Sequence, residues 1–481
     1  MARDAALRGL RVVLFERDDF GSGTTAASTR IVHGGLRYLQ TADVRLVRMD
    51  LRERETLLRI APHLVKPLEF VIPFATVPRV HRLKLRLGLA LYDALSAGST
   101  LPRHRIGGDE AAYYDARIDS PERLSIENLL DAAAHGAHAF NYAEVTGPLR
   151  EGHRVAGVRV RDRLTDAEVT VRARITVNAS GPWFERVAGA IGGPLPGRIR
   201  TTKGVHLVCP QVTDRALVLF SRRDGRLMFA IPRLGQTWLG PTDTDLSGDP
   251  ADAAASREDV EYVLESLRHT FPSLSADDVL YTTAGVRALV MQRGRPSSVS
   301  RRHRVVDGDR SGAPGLVSIM GGKITGYRAI AEDATDVICR RLGVTERART
   351  ADEPLPGGHS TRPSAAGISR HLADLYGSRA ADVLRLAEEQ PDLARPLSPR
   401  YPDIGAQVAF AARHEYCVTL ADFLRRRSLL GATSNQGMDA APAVAAVLAR
   451  ELEWPSDRAL HEIERYALGI EKTRSFRGVA T

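Results

Sequence analysis

Lysine is scarce in this basic chain: of 67 Lys and Arg residues only Lys66, Lys84, Lys203, Lys323 and Lys472 are lysines. Arginine stands almost everywhere a positive charge serves. A retained lysine is therefore a candidate for work that needs a compact ammonium rather than a planar fork. Two of the five, Lys203 and Lys323, lie inside glycine motifs. Cysteine is scarcer still. Cys209, Cys339 and Cys417 are far apart and form no CxxC spacing, which points to reduced cytosolic thiols and excludes a disulfide framework. No metal site is expected. No apolar run reaches bilayer length, and the first residues hold no apolar core of an export signal. The net charge of +9 suits an anionic partner. Basic residues are spread along the whole chain without a nucleic-acid motif, so no nucleic acid is expected.

What is present describes a globular protein of two or three domains, 43% hydrophobic and 26% charged over 481 residues. Met1 to Arg8 reads as the last turns of a helix stopped by Gly9, and Arg11 to Glu16 as a strand. A helix feeding directly into a strand is the second half of a βαβ unit. Asp43 to Ile60 is helical by its apolar stripe, and Phe70 to Pro73 is a strand. Val80 to Leu95 reads as a helix with Leu83, Leu87, Leu91 and Leu95 on one face and Arg82, Lys84 and Arg86 near its start. Such a helix suits an anionic membrane surface or an ordinary protein surface. A helix at 124–139, a small antiparallel meander at 142–177 and a strand-rich stretch at 204–239 follow. Residues 343–368, rich in Pro, Gly, Ser and Thr, read as a linker before an Ala/Leu/Arg-rich helical remainder.

Three strand-to-loop junctions carry the chemistry. The first is Glu16 with Gly21-Ser22-Gly23-Thr24-Thr25, the second Asn178 to Trp183, the third Met320 to Lys323. Ligands of α/β sheets lie beyond the carboxyl ends of strands, where a terminal acid can hold a ribose. Hydroxyls and closely approaching backbone can contact a pyrophosphate there. The third junction opens a helix, whose free amides and dipole favour negative charge. Reduced flavin carries such charge at its N1/O2 edge, so a flavin suits this junction better than a nicotinamide. Beyond the first loop, Ser28 leads to His33, Gly34, Gly35, Arg37 and Tyr38, a floor for an anionic substrate. Lys203 and His206 start a strand aimed at a cleft, and Arg287, Arg301 and Lys323 supply further cations. Several cations in one cleft are costly until an anion arrives, which points to a phosphate or carboxylate substrate.

STRIVHGGLRYL (28–39), NASGPW (178–183), KGVH (203–206), GPTD (240–243), GVR (285–287), GGKITGYR (321–328) and the stretch 415–437 run through nearly the whole chain in order. In these the chain resembles the aerobic, membrane-associated FAD-dependent glycerol-3-phosphate dehydrogenases. The resemblance implies an α/β fold: a glutathione-reductase-like FAD domain interleaved with an antiparallel β substrate domain, plus a helical C-terminal domain. The corresponding division is 1–60, 125–185 and 285–345 for FAD, 61–124 and 186–284 for substrate, 346–368 as linker and 369–481 as helical domain. Such enzymes open with a strand and a GxGxxG loop that the residues after Met1 do not contain. The first strand is thus expected to be missing and the working enzyme to begin upstream of Met1.

The resemblance further implies sn-glycerol 3-phosphate as substrate and FAD as cofactor. Its phosphate would be held by Arg287, Arg301 and Lys323, with Arg37, Tyr38 and Lys203 lining the pocket. Hydride would pass from C2 to flavin N5. His206, titrating near working pH, would take the hydroxyl proton, with His33 next in line. Lys323 would also stabilise the reduced flavin. Cofactor contacts would come from Glu16, Thr24, Thr25, Ser28, His33, Gly34, Gly35, Gly181, Gly321, Gly322, Lys323, Ile324 and Thr325. A quinone as electron acceptor, peripheral contact with the inner face of the plasma membrane and a homodimer are implied as well. The alternatives are a flavin oxidase using oxygen and a chain that binds glycerol phosphate without FAD.

Overall fold

The computed structural model describes every residue except 192–196, 292–300, 360–369 and 479–481. Helix α1 (Ala2–Leu7) stops at Gly9, φ +78°, and leads into β1 (Val13–Phe15). After the loop come β2 (Ile31–Val32) and α2 (Val44–Ile60), whose capping Asp43 accepts a bond from the Leu46 amide. Next are β3 (Val65–Pro73), α3 (Arg79–Leu95), β4 (Arg105–Gly107), β5 (Glu110–Ile118) and α4 (Pro121–Ala134). β6 (His138–Phe140) precedes the meander β7 (Ala143–Glu151), β8 (Arg154–Asp162) and β9 (Glu168–Arg172). β10 (Thr176–Asn178) and α5 (Phe184–Ile191) lead to β11 (Ile199–Pro210), β12 (Ala216–Phe220), β13 (Leu227–Arg233), β14 (Gln236–Gly240) and β15 (Thr244–Asp245). Then follow α6 (Arg257–Leu267), β16 (Tyr281–Val290), β17 (Arg304–Asp307), the one-turn α7 (Gly308–Ser311), β18 (Leu316–Met320) and α8 (Tyr327–Leu342).

Three kinds of layer result. Parallel pairs β1–β6 and β10–β18 bear the first, second and third junctions at their carboxyl ends. A ten-stranded, mostly antiparallel sheet runs β15-β11-β14-β13-β12-β3-β5-β2, with β16 on β11 and β4 on β5. From Arg370 to Lys472 the described chain is helical apart from one short hairpin. This is the expected interleaving of α/β, antiparallel β and helical parts.

The large sheet is sandwiched by helices. Val47 and Leu51 of α2 and Leu89 and Tyr92 of α3 pack on Phe70, Ile72 and Val218. Along β11 the side chains alternate faces. Val205, Leu207 and Cys209 meet Val260, Val263 and Leu267 of α6, which leaves Thr202, Gly204 and His206 for the opposite face. That parity places the site.

Several expectations change. β16 is one continuous strand paired to β11 from Tyr281 to Val290, so a boundary between 284 and 285 cuts a single element. β2 pairs with β5 and belongs to the large sheet rather than to the 1–60 unit. The stretch read as a linker is packed in part: Thr350, Leu355, Gly357 and Gly358 are buried, and the Leu355 amide donates to the Ile60 carbonyl. Composition misleads there because Arg3 donates to the carbonyls of Thr350, Glu353 and Pro354, giving polar backbone a buried partner. Residues 360–368 of that stretch lie outside the described residues. In α3, Arg82 turns back onto the Phe74 carbonyl and ring, so of the three basic residues near its start Lys84 and Arg86 are the exposed ones. Leu83, Leu87 and Leu91 are exposed as well, and no helix among the described residues is long and apolar enough to cross a membrane.

Candidate active site

β11 and β16 bring one face of the large sheet to the ends of the parallel strands. Their register pairs Thr202 with Arg287, Gly204 with Gly285 and His206 with Thr283, so these six share a face. Glycine is needed twice here. The Arg287 guanidinium lies across Gly204, where a Cβ would collide with it. A Cβ on Gly285 would come within 2.7 Å of Ala27 Cβ. The loop after β1 thus crosses the sheet at a residue without a side chain, and Thr24 Oγ1 fastens it by donating to the Val286 carbonyl at 2.7 Å.

Arg287 donates to Asp243 at 3.0 Å and to the Thr242 carbonyl. The same carboxylate takes Arg301 at 3.3 Å and Arg226 at 3.8 Å while only 2% of its side chain is exposed. One acid among three guanidinium groups leaves positive charge over. Burial and the neighbouring Arg301, Arg226 and Arg37 outweigh Asp243 and push Arg287 down to about 10. Arg301 is lowered too, chiefly by burial, while Tyr38 and Asp243 oppose the shift. About a quarter of the Arg287 side chain, 26%, still faces the cleft.

Tyr38 belongs to a 3-10 turn, Leu36–Thr41, entered through Gly35 in left-handed conformation. Arg37 lies 5.1 Å and the Lys323 ammonium 4.6 Å from the centre of its ring. Lys323 is ion-paired with Asp50 of α2, whose side chain is fully buried. Burial, with Asp115 and Glu53 repelling, pushes the Asp50 carboxyl up to about 7 against the pull of Lys323. Gly321 and Gly322, at φ +72° and +106°, make the turn before Lys323, and a Cβ on Gly322 would press on Ile330 at 2.6 Å. Ile324 and Thr325 form the following turn. Thr325 Oγ1 accepts the His33 amide at 3.2 Å, which ties the third junction to the residues before Gly34 and Gly35.

Both histidines are neutral. Burial, then Arg287 and Arg30, push His206 down to about 3. Its Nε2 lies 3.1 Å from Thr29 Oγ1, and its buried Nδ1 has no partner. His33 is held well below the usual range by burial and by Lys323, Arg37 and Arg54.

Glu16 follows β1 and accepts the Asp18 amide at 3.1 Å, and burial raises its pKa. Ser28 accepts weakly from the Arg30 amide at 3.4 Å, and its own amide donates to the Thr25 carbonyl. Gly181 has φ +55°, and a Cβ there would meet open space. Lys203 is the exception among the sequence candidates. It sits on the α6 face of β11, paired with Asp259 at 2.6 Å and donating to the Ala254 carbonyl. Odd parity carries it away from His206 and Arg287, so it holds α6 and does not join the cationic set. Two functional groups were missed. Asp243 stood inside the GPTD segment without drawing notice, because one acid looks ordinary in sequence. Asp50 looked like any polar residue of an amphipathic helix.

Two family models match the chain. A family described as FAD dependent oxidoreductase matches residues 1–328, and the C-terminal domain of alpha-glycerophosphate oxidase matches residues 348–459. The glycerol-3-phosphate dehydrogenase of Synechocystis sp. is 35% identical, covering 97% of this chain and 93% of its own. The aerobic glycerol-3-phosphate dehydrogenase of Bacillus subtilis is 33% identical, with 89% and 84% covered. The solved glycerol-3-phosphate dehydrogenase from Bacillus halodurans, complexed with FAD, superposes with a TM-score of 0.79 at 29% identity, covering 98% of this chain and 92% of that one.

Proposed function

We propose a function from the premise that this chain belongs to the family of FAD-dependent oxidoreductases: it oxidises sn-glycerol 3-phosphate to dihydroxyacetone phosphate. The observation that carries this reading is Asp243 gathering Arg287, Arg301 and Arg226 beside Tyr38 and the Lys323 ammonium. A phosphate would complete that under-compensated set through charge-assisted bonds. The names of the relatives at 33–35% identity agree with it.

The residues present fit FAD. Glu16 closes β1 as a ribose acceptor, the loop of Thr24, Thr25 and Ser28 is fastened over Gly285, and Gly181 leaves open space after β10. Gly321, Gly322 and Lys323, with the turn at Ile324 and Thr325, would line the flavin's electron-rich edge. FAD supplies the hydride acceptor. Loss of hydride from C2 to that acceptor would leave a C2–O double bond and a hydroxyl proton that needs a base. His206 is assigned that proton because a neutral imidazole keeps one accepting ring nitrogen, and its Nδ1 has no hydrogen-bond partner within the protein. Burial is the largest cause of the low His206 pKa, and a dianionic phosphate at Arg287 would offset the next, the charge of that guanidinium. Arg287 and Arg301 bind the phosphate, Arg37 and Tyr38 shape the pocket, and Lys323 serves both substrate and flavin.

A quinone is the proposed electron acceptor, reached where α3 meets lipid at the inner face of the plasma membrane. Exposed Leu83, Leu87 and Leu91 beside Lys84 and Arg86 support that contact. Reversing the charge of Lys84 and Arg86 should weaken binding to anionic vesicles by about 1 kcal/mol per residue; equal binding would remove α3 from the reading. The enzymatic test is anaerobic bleaching of the flavin by glycerol 3-phosphate, followed by reoxidation with a quinone analogue or with oxygen. Bleaching by glycerol 3-phosphate but not by glycerol, and faster reoxidation by the quinone, are expected. Bleaching by amino acids alone would overturn the substrate, and faster reoxidation by oxygen the acceptor.

A further inference from the structure

The loop from Glu16 to Arg30 is fastened from a distant part of the chain. Asp19, whose side chain is fully buried, receives Arg426 Nε, Arg427 Nη1 and, at 2.8 Å, Arg427 Nη2. Both arginines belong to a single wide helical turn, Phe423–Arg427, in the C-terminal region. Each is fixed in turn. Arg426 also donates to Asp422 at 2.7 Å, and the Tyr142 hydroxyl donates to the same oxygen at 2.6 Å. Arg427 donates twice to the Glu415 carbonyl, at 3.0 and 2.7 Å. The Glu415 carboxylate receives both Arg123 amino groups, at 3.1 and 2.9 Å.

Arg123 leads to the far end of the loop. Beside it on α4, Glu122 takes Arg30 in two bonds at 2.7 and 3.0 Å, and its Cα lies 3.5 Å from where a Cβ on Gly21 would stand. The loop is therefore held at Asp19 by the C-terminal arginines and at Arg30 by α4. Thr24, Thr25 and Ser28, which are assigned to FAD, lie between these two points. Burial alone would raise the Asp19 carboxyl, yet the two arginines outweigh it and hold it at about 2.

We propose that Arg426 and Arg427 are cofactor-positioning residues: by fixing Asp19, the C-terminal helical region holds the 16–30 loop in the shape that receives FAD. The helical region has an apolar core of its own. Its core is built from Phe423, Leu424, Val444, Leu448 and their neighbours, with no residue of the loop among them. An apolar contact already docks the two parts at lower desolvation cost, with Phe20 of the loop edge-on to Tyr416 at 5.3 Å between ring centres. What the three directed bonds from Arg426 and Arg427 add is the position of one carboxylate, and with it the path of the loop. The proposal rests on FAD as cofactor and not on glycerol phosphate as substrate.

The test compares the parent with Asp19→Asn, Arg426→Lys and, as a control, Asp439→Asn, which loses bonds to Ser398, Asn435 and Arg400 without touching the loop. Two quantities are read without substrate: the FAD dissociation constant from quenching of flavin fluorescence, and amide hydrogen exchange in the FAD-free protein. Asp19→Asn should weaken FAD at least about tenfold, or 1.4 kcal/mol. It should also speed exchange within residues 16–30 while leaving 441–472 unchanged. Arg426→Lys, which keeps the charge, should recover part of both effects, and Asp439→Asn should show neither. FAD affinity within twofold of the parent in Asp19→Asn would overturn the proposal, as would faster exchange spread evenly through the C-terminal helices. If Asp19→Asn does not fold, Arg426→Lys is read alone by the same criteria. A parent protein that binds no FAD would overturn the loop's assignment outright, whereas failure to oxidise glycerol 3-phosphate leaves it standing.

Discussion

Asp243 and Asp19 are both carboxylates buried among arginines, and the balance around them is opposite. Asp243 alone faces Arg226, Arg287 and Arg301, and the two arginines nearest the cleft are pushed down. Around Asp19 the acids Asp422 and Glu415 join in, and Arg426, Arg427 and Arg123 are all pushed up although all are buried. Burial acts in the same direction on every one of these guanidinium groups. The sign therefore reports whether neighbouring acids compensate it. The compensated cluster is complete as it stands and joins parts of the fold. The under-compensated one is more stable once an anion arrives, which is what a substrate pocket requires.

The largest effect should come from breaking the balanced cluster. Arg427→Ala leaves Asp19 and the Glu415 carbonyl short of partners, and such a loss from a buried network costs about 3–5 kcal/mol. Chemical denaturation should show it, and a loss below about 1 kcal/mol would contradict the idea of a complete cluster.

On the other side of the comparison, His206→Gln should slow single-turnover flavin reduction roughly 10²-fold with little change in substrate binding. Reduction at the parent rate would move the proton to His33.

Arg287→Ala should raise KM for glycerol 3-phosphate by about 10- to 100-fold, the worth of one charge-assisted bond of about 1.5–3 kcal/mol, and lower kcat less. In the same variant the unliganded protein should lose little stability, because a repelling cation has gone. A fall as large as that of Arg427→Ala would erase the distinction between the clusters.

A last comparison separates two carboxylates by pH. Asp19 is held at about 2, below the ordinary 3.8. Its contribution to stability is present above about pH 4 and is lost as pH falls toward 2. Asp50 is raised to about 7 from 3.8, so the native state keeps a proton the unfolded chain has released. Stability declines as pH rises through that window. Melting temperatures of Asp50→Asn should therefore gain on the parent between pH 4 and 7, while those of Asp19→Asn should fall behind above pH 4. Parallel curves for the two variants would contradict these assignments.

Much of this was legible in local pattern. The helix at Asp43 to Ile60 follows from its apolar stripe and capping acid, and β1 from its apolar run ending in Glu16. The candidate residues His206, Arg287, Arg301, Lys323, Arg37 and Tyr38 stood out because cations and glycines recur at strand ends. Lys203 was misjudged for a reason a sequence cannot supply. Which parity of β11 faces the cleft depends on which face α6 covers. The segment 350–358 was misjudged likewise, since its burial depends on Arg3 reaching it from the other end of the chain.

Element types and glycine turns follow from neighbours within a few residues, and the excess of arginine is a matter of composition. How that charge is divided depends on contacts far apart in the chain. Asp243 is separated from Arg287 by 44 residues and Asp19 from Arg427 by 408. Whether an arginine is balanced or left facing a cleft depends on how many acids the fold brings within a few ångströms, and Coulomb energy depends on that distance rather than on separation along the chain.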